Sequence, residues 1–216
     1  MRALIFANGD PGDGLMVRRT FEQAGDARII AADGGARLAR YYGYPVHTLI
    51  GDMDSIAPPE LAALVQQGTQ IFRHPPEKDA TDLELALKWA AGQPIDWIRI
   101  IGGLGGRFDQ MMANVYLLAL PELQHLDAGL AAGNQVIYLL RPGVHTLAGR
   151  AGDTVSLIPV GGAAAGVTTR HLQYPLQEES LFFGPARGVS NVMLADVAGV
   201  TLAQGLLLVV HTVGRA

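Results

Sequence analysis

Through the first 120 positions, short apolar runs alternate with longer stretches of helical spacing. Residues 3–7 read as a buried strand, a turn-rich stretch follows over 8–14, and 15–24 reads as a helix. The same alternation predicts strands at 27–32, 47–50, 70–73 and 97–101. Helices are predicted at 36–42, from Pro59 to about 67, at 81–91 and at 108–120, where Pro121 breaks the last. Pro59 suits the first turn of a helix, and Leu83, Leu87 and Ala90 share one face of theirs. Trp89 and Trp97 are expected in the core. Strands alternating with helices imply a largely parallel sheet covered by helices. In such sheets ligands bind beyond the carboxyl ends of the strands. Asp33, Asp52 and the glycine stretch 102–106 each follow a predicted strand.

After position 140 the pattern changes. Short β-rich runs at 143–147, 154–159, 166–169, 181–183, 189–193 and 206–213 are separated by Gly, Pro and polar residues. No amphipathic helix appears among them. The fold class expected is therefore α/β, a largely parallel β/α sheet domain over 1–140, followed by a small antiparallel β-sandwich over 141–216. Of the 20 acidic residues, only Asp153, Glu178, Glu179 and Asp196 follow Arg141, which places the ion-handling chemistry in the first domain.

Composition narrows the function. A chain of 216 residues that is 49% hydrophobic can bury a sizeable core. A net charge of −4 with no basic cluster argues against a nucleic-acid partner. The absence of cysteine excludes disulfides, thiol catalysis and Cys-ligated zinc. The histidines lack zinc-ligand spacing. No apolar run reaches the length of a membrane span, and the apolar start is too short for a signal peptide. A cytoplasmic protein without a membrane partner is expected.

Three motifs carry candidate chemistry. In Gly51-Asp52-Met53-Asp54-Ser55 two carboxylates stand two residues apart on extended backbone, hence on one side. Such a pair suits a divalent cation such as Mg²⁺, or simply a polar turn. In Lys78-Asp79-Ala80-Thr81-Asp82, Asp79 or Thr81 can cap the following helix, and a carboxylate fixed there also suits a metal. Lys78 can meet a phosphate or form a salt bridge. In Gly102-Gly103-Leu104-Gly105-Gly106-Arg107-Phe108-Asp109-Gln110, glycine amides, a helix start and a guanidinium favour an anion. The spacing is neither the P-loop nor the dinucleotide fingerprint. Asp33-Gly34-Gly35 either contacts a nucleotide or only makes a turn.

In order and spacing these motifs resemble the thiamine pyrophosphokinase family. The likeness extends through Asn114, Ser156-Leu157-Ile158-Pro159, Tyr174-Pro175-Leu176, Phe183-Gly184 and Val189-Ser190-Asn191. It implies transfer of pyrophosphate from ATP to the hydroxyl of thiamine by a homodimer whose active site lies between subunits. It also implies Mg²⁺ on Asp52, Asp54 and Asp82. Asp109 joins those three as a catalytic acid. Asp33, Gly34, Lys78, Asp79, Thr81, Gly103, Gly105, Gly106 and Arg107 would serve ATP, and Ser190 and Asn191 would contact thiamine. Two departures stand out: His171-Leu172 replaces the family's usual Gly-Leu, and the second domain has no tryptophan to stack on thiamine. Ring contacts then fall to aliphatic side chains or to Tyr174, Phe182 or Phe183. Rival readings are a diphosphokinase for another hydroxymethyl heterocycle such as a pterin, a nucleotide-binding regulator without catalysis, and a metal-dependent phosphohydrolase.

Overall fold

The computed structural model describes residues 1–215. The chain divides into two compact units, Met1–Gly133 and a second that begins at Asn134.

In the first unit six strands form a parallel sheet. They are β1 (Arg2–Phe6), β2 (Arg28–Ala32), β3 (Thr48–Gly51), β4 (Gln70–Arg73), β5 (Trp97–Ile101) and β6 (Asp127–Ala132). Their order is β4-β3-β2-β1-β5-β6. The helices are α1 (Leu15–Ala24), α2 (Gly35–Tyr41), α3 (Pro58–Gln66), α4 (Asp82–Ala91) and α5 (Phe108–Tyr116). β1, β2 and β3 are buried on both faces, which is why they read as unbroken apolar runs. Thr81 caps α4: its Oγ1 accepts the Glu84 N–H at 3.2 Å, and Asp82 and Glu84 sit in the first turn. The helix expected to reach Leu120 ends at Tyr116 and is followed by two 3-10 turns, Leu117–Ala119 and Pro121–Leu123. Neither tryptophan is in the core. Both are half-buried beneath guanidinium groups, Trp89 under Arg28 at 5.1 Å and Trp97 under Arg99 at 4.7 Å.

The second unit is antiparallel. Its strands are β7 (Gln135–Leu140), β8 (Gly143–Ala148), β9 (Thr154–Arg170), β10 (Glu179–Leu181), β11 (Asn191–Val192), β12 (Val197–Leu202) and β13 (Gln204–Thr212). The run at 135–140 belongs to this unit rather than to the one before it. β9 joins the two runs expected at 154–159 and 166–169 into one strand. Its register against β13 shifts between Val160 and Ala165, where Gly161 and Gly162 take positive φ. Before that bend β9 pairs with β11 and β13; after it, with β10 and β12, and with β13 again at Ala165. Leu157, Val167, Leu181, Val200, Leu207 and Met193 share the core so enclosed. At its edge Asp153 is buried, and Oδ2 of Asp153 lies 2.9 Å from His211 Nε2.

Candidate active site

The chain moves outward from β1 through β2, β3 and β4, then returns to place β5 on the other side of β1. This reversal opens a crevice at the carboxyl ends of the central strands. A cleft of about 500 Å³ lies there. It is lined by Ala7, Asn8 and Gly9 after β1, Asp33 after β2, Asp52 and Asp54 after β3, and Gly102 and Gly103 after β5. Thr81 and Asp82 at the start of α4 complete one wall. Gly105, Gly106, Arg107 and Gln110 at the start of α5, with Asn114, complete another.

Asp33, Asp52 and Asp82 offer carboxylate oxygens that all lie within 4.8 Å of one another. Gly51 permits this closeness, since a Cβ there would stand 3.0 Å from both Asp33 Cβ and Asp82 Oδ1. Asp33 is only 3% exposed and its Oδ1 has no hydrogen-bond partner. A buried carboxylate oxygen left without a donor is costly unless a cation serves it. Asp33 and Met53 both adopt positive φ, 43° and 68°. Asp tolerates that region, but Met does not do so readily, so local strain sits beside the cluster.

Lys78 Nζ lies 2.6 Å from Asp52 Oδ2 and 3.0 Å from Asp82 Oδ1. Hydrogen bonding from Lys78, helped by the Asp54 N–H, holds the Asp52 carboxyl below its usual range. Asp82 is shifted the other way. Burial is the main cause, and the nearby charges of Asp52 and Asp33 add to it against the opposing pull of Lys78.

Across the cleft, Gly105 and Gly106 have φ of 116° and 69°, and a Cβ on either would meet no protein atom. They are shaped by backbone conformation, not by packing, as an anion-binding turn requires. Asn114 Nδ2 donates to Gly103 O at 2.8 Å and ties α5 to the loop.

Residues 22–128 match the family described as thiamin pyrophosphokinase, catalytic domain, and residues 144–207 match its vitamin B1 binding domain. The chain belongs to the thiamine pyrophosphokinase family. Thiamine pyrophosphokinase from Bacillus subtilis is 28% identical over 75% of this chain and 76% of its own length. Thiamine pyrophosphokinase 1 from Arabidopsis thaliana is 28% identical over 82% of this chain and 75% of its own. The Bacillus subtilis crystal structure superposes with a TM-score of 0.86 over 99% of both chains, at 24% identity, which speaks for the fold alone. That of the Geobacillus thermodenitrificans protein gives 0.84 at 25% identity, over 98% of this chain and 97% of the other.

In this family member most of the expected phosphate and metal residues converge. Asp33, Asp52, Asp54, Thr81, Asp82, Gly103, Gly105, Gly106 and Arg107 all line the cleft, and Lys78 reaches two of its acids. Asp33, expected to contact a nucleotide, joins the acid cluster. Asp54, expected among the metal ligands, lies outside that cluster and accepts from Ser55 Oγ at 2.9 Å. Gly34, Asp79 and Asp109 do not line the cleft. Asp109 is exposed and pairs with Arg107, whose Nε is 3.1 Å from Asp109 Oδ1. Asn8 and Gly9 were missed because a turn after the first strand carries no distinctive residue.

The two thiamine candidates differ in setting. Ser190 is exposed at φ 58°, and its N–H donates to Ser156 Oγ at 3.0 Å. Asn191 is 3% exposed and fully engaged. Its Nδ2 donates to Tyr174 O at 2.7 Å, and its Oδ1 accepts from Tyr174 N at 2.9 Å and from Val192 N at 3.0 Å. Tyr174, Phe182 and Phe183 are all exposed.

Proposed function

We propose that this protein transfers the pyrophosphoryl group of ATP to the hydroxyl oxygen of thiamine, releasing AMP and giving thiamine diphosphate. The observation that carries the reading is the unpartnered Asp33 Oδ1, buried against Asp52 and Asp82 and opposite a glycine loop, in a chain of this family. The comparisons lend nothing to the pterin alternative.

Asp33, Asp52 and Asp82 fit Mg²⁺, a hard cation held by carboxylates and phosphate oxygens. When bound, the ion neutralises phosphate charge and supports in-line displacement at the β-phosphorus. The amides of Gly103, Gly105 and Gly106, the start of α5 and Arg107 bind and orient the triphosphate. The alcohol oxygen bonds to the β-phosphorus as the bond from that atom to the bridging oxygen of AMP breaks. Asp54 and Asp10 line the cleft outside the cluster, and Asp54, next to the metal-binding Asp52, is the carboxylate we assign to accept the hydroxyl proton. The cleft fixes geometry and charge, and the chemistry asks for little else.

For thiamine, Ser190 supplies a direct polar contact, whereas Asn191 acts by fixing the backbone of Tyr174. The protein works as a homodimer with its sites between subunits, as the family resemblance implies. It acts in the cytoplasm; among the described residues no helix is long and apolar enough to cross a membrane.

The direct test incubates the protein with ATP, Mg²⁺ and thiamine, with thiamine omitted as control. AMP and thiamine diphosphate should accumulate in equal amounts and only with thiamine. AMP formed with another alcohol but not with thiamine would replace the substrate; free phosphate without an acceptor would point to a phosphohydrolase.

Asn191→Ala should cost about 1–3 kcal/mol of stability in urea titration, since it strips hydrogen bonds from part-buried backbone groups. It should also raise KM for thiamine several-fold while leaving that for ATP nearly unchanged. Equal effects on both substrates would remove Asn191 from the thiamine site.

A further inference from the structure

In this structure the position a divalent cation would take is contested by the protein itself. Lys78 Nζ bridges Asp52 Oδ2 and Asp82 Oδ1, at 2.6 and 3.0 Å, two of the three acids that fit the metal. The remaining oxygen of Asp52, Oδ1, accepts from the Asp54 N–H at 3.1 Å. Asp33 Oδ1 is buried without any partner, and Asp82 Oδ1 is buried with the Lys78 ion pair but no well-aligned hydrogen bond. Lys78 side chain and Asp52 side chain are 14% and 10% exposed, so the ammonium is embedded among the acids, not swinging at the surface.

We propose that Lys78 is a resident counter-cation. It holds the acid cluster together before substrate arrives and vacates it only when a polyphosphate offers the ammonium another anion, so that divalent metal and nucleotide bind together and metal alone binds poorly. The proposal rests on the metal reading above. Three carboxylates this close repel each other, and Lys78 is the cation bonded to two of them. A doubly charged ion entering while the ammonium stays would face like charge at about 4 Å, enough for roughly tenfold or more in affinity even at the dielectric of water.

The chain is built to let the ammonium leave. Lys78 lies in the irregular segment after β4 and before α4, not on a strand or helix. Its compact charge rides a flexible four-carbon stem, whereas an arginine fork would lock onto the carboxylates. A triphosphate on the glycine loop of the same cleft brings several anionic oxygens, which gives Lys78 a new partner and supplies the metal with further ligands. Coupling of this kind is reciprocal: nucleotide tightens metal binding and metal tightens nucleotide binding by the same factor.

The test reads metal binding without turnover. Mn²⁺ alone is titrated by paramagnetic resonance into the wild type, Lys78→Gln and Lys78→Arg. Lys78→Gln should bind Mn²⁺ roughly tenfold tighter than wild type, and Lys78→Arg should stay as weak as wild type because the charge remains. Adding α,β-methylene-ATP should tighten Mn²⁺ binding to wild type and narrow the gap from Lys78→Gln. If Lys78→Gln needs metal to fold, the Mn²⁺ dependence of its melting temperature gives the same affinity, and that need itself supports the counter-cation role. Mn²⁺ binding to Lys78→Gln no tighter than to wild type would overturn the proposal. Mn²⁺ binding to none of the three would overturn it together with the metal site. Thiamine is absent throughout, so a failure of the substrate assignment leaves these outcomes untouched.

Discussion

Asp82→Asn should lower turnover about 10²–10³-fold, as loss of a principal charge-stabilising group does, while the metal-free protein melts no lower than the wild type. The two effects have one origin. Asp82 opens α4 beside Thr81, so its carboxylate is fixed by the helix start and not by core packing. It completes the cluster with Asp33 and Asp52 that fits a divalent cation. The amide keeps the shape and removes the charge. Without metal that charge is a liability: burial, then the charges of Asp52 and Asp33, push the Asp82 carboxyl above its usual range even with Lys78 beside it. Function at such a site is held at some expense of stability. Steady-state kinetics at saturating Mg²⁺, alongside calorimetry without metal, measures both. Wild-type-like turnover would remove Asp82 from the metal site. Lost turnover with a melting temperature well below wild type would make the residue structural.

The site was legible where one strand end carries its own chemistry. Gly51 to Ser55 and Gly102 to Gln110 announce an acidic pair and an anion-binding turn within a few residues, and both face the cleft. The grouping of acids was less legible. Asp33 meets Asp52 because β2 and β3 are parallel neighbours, and Asp82 meets both because α4 begins over their ends. No local spacing encodes that meeting. Asn191 looked like a ligand contact because it is polar and sits in a family motif. Its burial and its grip on Tyr174 appear only once β11 is paired with β9.

The sheet of the first unit followed from its apolar runs because strands buried on both faces have no choice but to be apolar. β6 escaped notice: Asp127–Ala132 is rich in alanine and glycine, with little intrinsic strand preference. β12 escaped because only Ala203 separates it from β13, so two strands that share β9 but differ in their other neighbour run together in sequence. The length of β9 was hidden by its glycines, which signal a turn but here make a bend within one strand.

The largest stability effect is expected in the second unit. Asp153→Ala should destabilise the protein by about 3–5 kcal/mol, the range for breaking one side of a buried charged network. Asp153 is 3% exposed and gathers three donors. Oδ1 accepts from Gly214 N at 2.8 Å; Oδ2 accepts from Arg150 N at 3.0 Å and lies 2.9 Å from His211 Nε2. Alanine would leave two backbone amides and a buried imidazole without partners at one stroke. The pH dependence has a definite sign. Burial alone would raise the Asp153 carboxyl, but the Gly214 amide, His211 and the Arg150 amide outweigh it and hold it below its usual range. An acid depressed in the folded state contributes its stability above its unfolded pKa of about 3.9, and loses it as pH falls through the lower folded value. Urea unfolding at pH 7 should therefore separate wild type from Asp153→Ala widely, and the gap should shrink below about pH 4 as the wild type loses this contribution. A gap that stays constant into acid would mean that the variant suffers from lost packing, not from a lost charge.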